Sequence, residues 1–516
     1  MIDLPNFSYD CPKTWSLLQS GLTKGVFQCE SKLVQSWLKK IAPANIWELS
    51  AVIALVRPGP LKSGFADDYA AYKKGLKEFE SFGHPIIDEV FSTTEHVLLY
   101  QESLMALGSK LAFQHLDEIK RAIKVDNLRK GVGKKDQAKL IAIGKEFTAG
   151  CLQNGVTEEV ANKLFEVIKN CGRYLFNLSH SVVYAHLAYD TAWLKANYPL
   201  EFTSVYLTYA QFKQGQRKHN EELAGKFKEI QEFIIESPSL GIEILPPNFN
   251  ERNENFKIID DKIIYGLSHI KSFGHSTFDK IKDYPIIDNW HKFFIMASTD
   301  VYGSKINVRS LAAMVASGSL KDTKLSRTTL LSILDLIDKL SPKELEYCLD
   351  NLSKYNKIEE ISVLLQDCAD NCCMKKRKPI VESLCKLFKI TEDHPAWIER
   401  EEQDLLGIAL TATSADGKIS DASDQCIDCM GEFSDNTVKH VNAVIKKVIT
   451  TVTKKGKNPG QEMARIVIQD VTHTLDNLPV FPKVYAEVKD ILMERNTVKV
   501  VLKYQKGWTV ANIEQI

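Results

Sequence analysis

The chain has 516 residues, 44% of them hydrophobic, with 66 basic against 66 acidic side chains and no net charge. That length suits about three or four domains of ~150 residues each. The zero balance excludes a uniformly basic nucleic-acid coat, and no apolar run is long enough to span a membrane. Eleven cysteines, behind a first stretch without the basic and apolar regions of a secretion signal, read as reduced thiols of a cytoplasmic protein.

From about residue 10 to 245 apolar positions recur at helical spacing, which predicts helices over 32–40, 86–91, 104–113, 137–152, 161–170, 181–197 and 220–235. Arg57-Pro58-Gly59-Pro60 is a firm break among them. Between 120 and 139 eight basic residues (Lys120, Arg121, Lys124, Arg129, Lys130, Lys134, Lys135, Lys139) meet only Asp126 and Asp136, a local charge of +6. A patch this dense around Gly131-Val132-Gly133 suits phosphate better than a solvated helix face. Asn177, Ser179, His180 and Ser181 then crowd the start of an apolar helical run ending at Trp193-Leu194-Lys195. Two readings stay open there: a helix cap by Asn177 or Ser179, or an anion site on the helix N-terminus.

A second unit begins near Gly241. Strand-like runs at 256–259 and 262–266 flank Asp260-Asp261, and a turn at Lys271-Ser272-Phe273-Gly274 leads into a helix. This predicts a helix-hairpin-helix, whose backbone N–H groups grip phosphate without regard to base sequence. Residues 321–400 are helical, charged and without a single glycine, and 415–436 form a polar linker. The tail changes period. Val438–Val452 is rich in Val, Ile and Thr, a basic turn follows at Lys454-Lys455-Gly456-Lys457, and further strands surround a helix at 481–493. About five strands with a helix between the third and fourth match an OB-fold, either a single-strand groove or a structural barrel.

The expected fold is therefore multidomain, mainly α, followed by a C-terminal β-barrel. The boundaries are 1–240, 241–400, a connecting segment and linker at 401–436, and 437–516. No metal site is predicted. Cys368/Cys372/Cys373 and Cys426-Ile427-Asp428-Cys429 each lack a second regular pair. No Asp-x-Asp occurs, and Asp67-Asp68 and Asp260-Asp261 are adjacent pairs whose side chains point apart on a strand, as surface charges do.

Six segments now stand in one order: Gly25-Val26-Phe27-Gln28-Cys29-Glu30-Ser31, Arg57-Pro58-Gly59-Pro60, Tyr100-Gln101-Glu102, Lys120-Arg121-Ala122, Phe176-Asn177-Leu178-Ser179-His180 and Leu245-Pro246-Pro247. In that order the chain resembles the C-terminal half of the C-family bacterial replicative DNA polymerases: fingers with a short palm junction at the start, a clamp-binding region with its helix-hairpin-helix, and an OB domain. Glu399–Leu410 is similar to the segment leading to that domain.

The resemblance implies a pocket for an incoming dNTP lined by Lys120, Arg121, Asn177, Ser179 and His180. Gln28, Glu30, Arg57, Gln101 and Glu102 would shape the pocket or its palm junction. It implies contact with primer-template DNA through Lys124, Arg129, Lys130, Lys134 and Lys135, the hairpin (Lys271, Ser272, Gly274) and the turn at Lys454, Lys455 and Lys457. The family usually shows Gly-Tyr-Gly-Phe-Asn-Lys-Ser-His. Here Arg173, Leu175 and Leu178 replace both glycines and the lysine, and Arg173 is the expected substitute cation. The hairpin's first glycine is Ser272.

The family's palm aspartates, which hold Mg2+, lie before the matched region. The expectation is thus a naturally split polymerase, bacterial or from a bacteriophage, completed by a palm-bearing chain, rather than an excised fragment. A sliding clamp is expected from domain identity alone. The alternative is a non-catalytic DNA-binding accessory protein that keeps the fingers fold.

Overall fold

The structure, a computed structural model, describes residues 8–133, 137–210, 230–281, 284–298, 306–411, 437–453, 460–469, 474–493, 496–504 and 507–515. Lys134, Lys135, Lys454, Lys455, Lys457, Cys426, Cys429, the expected linker at 415–436 and residues 220–229 of the helix expected over 220–235 lie outside the described residues. Contacts divide the chain into two compact units, one of Met1–Phe212 with Glu232–Glu243, the other of Lys213–Gln231 with Ile244–Ile516. No described helix is long and apolar enough to cross a membrane.

The first unit is helical. Its helices include α1 (Pro12–Ser20), α2 (Lys32–Ile41), α3 (Ile46–Leu55), α4 (Pro58–Lys62), α5 (Phe65–Lys73), α6 (Pro85–Ser92), α7 (Gln101–Leu107), α8 (Glu118–Val132), α9 (Gln137–Gln153), α10 (Glu158–Cys171), α11 (Leu178–Asn197) and α12 (Pro199–Tyr209). The break read at Arg57-Pro58 separates α3 from α4. Arg57 before the proline is extended (φ −136°, ψ 154°), and Pro58 opens α4, where its missing N–H costs nothing. Two apolar cores form. One joins α1, α2, α3 and α11, with Ala51 and Ala54 of α3 meeting Ala185, Ala188 and Ala192 of α11 in the same buried cluster. The other gathers Leu104, Leu107, Val125, Leu128, Phe147, Leu164 and Ile168 from α7 to α10. The long helix α11 crosses the first core, and its N-terminus emerges beside α7.

In the second unit β1 (Ile244–Leu245) lies parallel to β3 (Lys262–Ile264), which forms a hairpin with β2 (Lys257–Ile259). Asp260 and Asp261 are its two-residue turn, both left-handed (φ 48° and 59°), as a hairpin of this length requires. A 3₁₀ turn at Leu267–His269 and the helix Gly274–Ile281 flank the predicted hairpin at 271–274. Helices then run to Pro395–Leu406. Five antiparallel strands follow: β4 (Val438–Val452), β5 (Glu462–Gln469), β6 (Thr474–Val480), β7 (Thr497–Tyr504) and β8 (Trp508–Gln515), in the order β6-β5-β4-β7-β8. The 15-residue β4 pairs with β7 through its first half and β5 through its second, and it bulges between Ile445 and Lys447. The helix Pro482–Val488 sits between the third and fourth strands and sends Val488 into the barrel core. This is the OB-like arrangement that the period-2 pattern predicted.

Candidate nucleotide and nucleic-acid interface

The polar block begins where two distant segments touch. Tyr100 and Phe176 form an isolated parallel bridge: the Phe176 N–H donates to the Leu99 carbonyl and the Gln101 N–H to the Phe176 carbonyl, both at 2.9 Å. The Tyr100 hydroxyl is buried against Ser50 Oγ at 3.0 Å, and burial pushes its pKa up to about 12. Ser181 Oγ donates to the Ser50 carbonyl at 2.7 Å, which pins the first turn of α11 to α3. The bridge and this pin fix where α11 starts.

Asn177 is the N-cap of α11. Its Oδ1 accepts from the His180 N–H at 2.8 Å and from Ser179 Oγ at 2.7 Å. The Glu102 carboxylate accepts from the Leu178 N–H at 2.9 Å and from Asn177 Nδ2 at 3.0 Å. The positive end of the helix therefore already holds an anion, and that anion belongs to the protein. Of the two readings open at this block, the cap at Asn177 is present. Sequence reasoning missed Glu102's part in it; the only signal was an acid after Gln101, with its partners 75 and 76 residues away.

Arg57 closes one side. Its Nε donates to the Ala54 carbonyl at 2.7 Å, its Nη2 to the Tyr174 carbonyl at 2.8 Å, and its guanidinium lies 4.4 Å from the Phe176 ring centre. Burial lowers its pKa from the usual guanidinium value. Gly59 is required here: a Cβ would stand 2.4 Å from the Tyr174 ring. Beyond Phe176 a row of rings follows the helical period, Phe176 to His180 at 5.6 Å and His180 to Tyr184 at 4.2 Å. Phe27 extends it at 5.1 Å from Tyr184. Gln28 is exposed beside it in the left-handed region (φ 60°), and Glu30 accepts from the Tyr206 hydroxyl at 3.0 Å.

The basic helix α8 is less open than its charge suggests. Lys120 pairs with Asp117 at 3.0 Å, Lys130 with Asp126 at 2.6 Å, and Lys124 with Glu146. Arg129 donates to Asp126 at 2.8 Å and reaches Gln101 Oε1 at 3.3 Å. Arg121 Nη2 donates to the Leu116 carbonyl at 3.0 Å, and its buried Nε has no partner among the described residues. Arg173 is exposed on the turn after α10. Gln101, Glu102, Asn177, Ser179, His180 and Arg57 are thus brought together, and Arg129 is the α8 cation bonded to them. Among the described residues no hydrogen bond or ion pair joins Lys120, Arg121 or Arg173 to that cluster.

In the hairpin Ser272 and Gly274 are both left-handed (φ 71° and 68°), and the Ser272 carbonyl accepts from Ser310 Oγ at 2.7 Å. Lys271 Nζ pairs with Asp404 at 2.6 Å, and the Lys271 N–H donates to the Leu405 carbonyl at 3.0 Å. The helix Pro395–Leu406 also ties Arg327 through Glu402 at 2.7 Å and Lys446 of β4 through Glu399.

Among the described residues neither adjacent Asp pair suits a pair of magnesium ions. Asp67 and Asp68 lie on helix α5, correcting the strand geometry assumed for them, and each is matched to a lysine, Lys40 at 2.5 Å and Lys77 at 2.7 Å. Asp260 and Asp261 are consumed in the hairpin turn. Among the described residues no three His, Cys, Asp or Glu side chains gather as a metal site. Cys368, Cys372 and Cys373 are free thiols, and burial raises the Cys373 thiol to about 12.

Residues 1–155 match the family model of the bacterial DNA polymerase III alpha subunit finger domain, and residues 241–330 match a helix-hairpin-helix model. The chain is similar to the C-terminal part of the bacterial DNA polymerase III alpha subunit. The Aquifex aeolicus subunit is 31% identical over 494 residues, covering 95% of this chain and 37% of the relative. The Borreliella burgdorferi subunit is 29% identical over 500 residues, with 95% and 39% covered. The Escherichia coli K12 subunit is 30% identical over 340 residues, with 64% and 28% covered. The chain spans about two fifths, or less, of the length of these curated relatives. The fingers match falls within the first helical unit, and the helix-hairpin-helix match spans the 271–274 turn.

Proposed function

We propose that this chain is the fingers and DNA-gripping part of a template-directed replicative DNA polymerase of the bacterial cytoplasm, possessing no metal site of its own. The observation that carries this reading is the ordered match to fingers and helix-hairpin-helix models, ahead of an OB-like barrel, within a similarity covering 95% of the chain. Lys120, Arg121 and Arg173 neutralise the triphosphate of an incoming dNTP, and Asn177, Ser179 and His180 form the wall beside it. The helix-hairpin-helix and the basic helix α8 hold primer-template DNA through phosphates. A palm-bearing chain would supply the carboxylates that hold Mg2+, and the bound metal would supply charge neutralisation and Lewis acidity. A sliding clamp docks on the second unit. No Asp-x-Asp lies in the 516 residues, which supports a separate source for those carboxylates.

Primer extension tests the proposal. The chain alone should extend nothing, and the chain with its palm-bearing partner, isolated by pull-down, should extend a primed template. Extension by the chain alone would refute the claim about the metals. DNA binding with no extension in any partner's presence would favour the accessory-protein reading.

A further inference from the structure

We infer that Cys11 is a modification site, a thiol activated at the start of α1 that takes an oxygen atom from a peroxide. The site lies outside the residues assigned to nucleotide and DNA above, so it stands whether or not that reading holds.

Three observations carry it. First, the thiol sits on an open helix end. Cys11 is half-buried and is the N-cap of α1, yet no side chain caps that helix and no acid stands in its first turn. Pro12 at the first helical position brings no N–H, which leaves the Lys13 N–H as a donor for the sulfur. The partial positive charge at a helix N-terminus favours thiolate over thiol. The neighbouring acid, Asp10, is bonded to Ser8 Oγ, and the neighbouring base, Lys13, is exposed. Second, the side chains around the sulfur are donors. Asn197 Nδ2, at the end of α11, donates to Cys11 Sγ at 3.8 Å. Thr14 is fully buried, and its Oγ1 has no hydrogen-bond partner among the described residues. It faces Cys11 and the Tyr189 hydroxyl. That hydroxyl is already engaged, accepting from the Cys11 N–H at 3.0 Å and donating to the Ser8 carbonyl at 3.3 Å. A buried hydroxyl left unmet costs free energy, and a Cys11 thiolate is the acceptor that relieves it. Third, the other described cysteines lack this setting. Cys29, Cys151 and Cys171 are buried, which pushes their thiols up to about 12. Cys372, Cys373 and Cys385 are half-buried like Cys11, yet burial and the charges around them raise all three. At Cys11 burial also pulls upward, but the bonds from Thr14, Asn197 and the Lys13 backbone outweigh it and lower the thiol.

The step balances with hydrogen peroxide as oxidant. The thiolate attacks one peroxide oxygen, the S–O bond forms as the O–O bond breaks, and the hydroxide released takes up the proton that the thiol gave up. Sulfur is oxidised by two electrons to a sulfenic acid, and the peroxide is reduced to water.

The full chain is treated with hydrogen peroxide at neutral pH in the presence of dimedone, which traps sulfenic acid, and each cysteine is read by peptide mass spectrometry. Cys11 should carry on the order of tenfold more adduct than the half-buried Cys372. Thr14→Val deletes only an unbonded hydroxyl. It should slow Cys11 by on the order of fivefold and move the midpoint of its alkylation by iodoacetamide to higher pH, with Cys372 unchanged. Thr14→Ser keeps the hydroxyl and should match wild type. Asn197→Ala should act in the same direction as Thr14→Val, which keeps the test open if the valine variant fails to fold. Equal trapping at Cys11 and Cys372 in the wild-type chain would overturn the assignment. So would folded Thr14→Val and Asn197→Ala variants that keep the wild-type rate and midpoint.

Discussion

Replacing Glu102 tests the idea that the start of α11 is organised by an internal anion. The carboxylate accepts two bonds at 2.9 and 3.0 Å, one from the Leu178 backbone and one from the Asn177 side chain. A hydrogen bond to a charged group contributes about 1.5–3 kcal/mol net. Asn177 is exposed, so water takes over most of its share, whereas Leu178 is half-buried and packs on the core. Adding about 0.5 kcal/mol for a charge at a helix N-terminus, Glu102→Ala should cost about 2 kcal/mol of local stability. Glu102→Gln, which keeps one acceptor oxygen, should cost about half of that. The assay is native-state hydrogen exchange at the Leu178 and His180 amides of the full chain, since a global melt of a two-unit chain does not isolate the site. About 2 kcal/mol corresponds to roughly 30-fold faster exchange. The two amides are linked, because Glu102 holds the Asn177 amide that caps His180. Unchanged exchange at both amides in Glu102→Ala would refute the reasoning.

Lys195→Met should destabilise the first unit by about 3–5 kcal/mol, because Glu236 would stay largely buried and unpaired; adding Glu236→Gln should recover part of it, and a double mutant no better than the single one would show that the pair is not the cause. Ser272→Gly should stabilise the hairpin by about 0.5–1 kcal/mol, the relief of a left-handed serine less the added freedom of the unfolded chain. Slower amide exchange around Phe273 checks it, and faster exchange would mean that the serine side chain holds the turn. Acid should loosen the helices around Glu344, whose carboxyl the Arg377 guanidinium draws down to about 2. The folded pKa lies below the unfolded one, so this stabilisation is whole above about pH 4.5 and disappears between about 4.5 and 2. It amounts to about 3 kcal/mol for a side chain 3% exposed. Glu344→Gln should remove that slope from an acid titration followed by helix circular dichroism, and an identical slope would contradict the assignment.

What was legible in the sequence was local. Pro58 ends one helix and opens another, Asn177 caps within three residues, and the alternation of Val438–Val452 marks a strand whatever lies around it. The contacts that build the site are of another kind. Tyr100 meets Phe176, and Glu102 meets Leu178, only because the starts of α7 and α11 come together in space. Lys195 reads as an ordinary basic residue in the last turn of a helix, yet it is fully buried against Glu236 and the Lys24 carbonyl. No spacing rule announces a buried lysine whose partners lie 41 and 171 residues away. Asp67-Asp68 failed differently: alternation was assumed where the backbone is helical, so their divergence follows from a helical turn rather than a pleat.

The electrical layout of the first unit separates two kinds of charge. On α8, Lys120 and Asp117 are 73% and 54% exposed, and Lys130 pairs across the surface with Asp126. Exposed pairs of this sort contribute at most about 1 kcal/mol, so a phosphate can displace the carboxylate with little loss. Arg57 and Glu102 are held differently, each by two hydrogen bonds at 3.0 Å or less, and Arg57 is stacked on a ring as well. Under the proposed function, α8 is the exchangeable layer and the α7–α11 junction the fixed one. The two layers should part in salt. Binding of tripolyphosphate should fall steeply as salt displaces it from the exposed cations. The bonds that hold Arg57 and Glu102 at the α7–α11 junction should persist over the same range, because partly buried charges are screened much less.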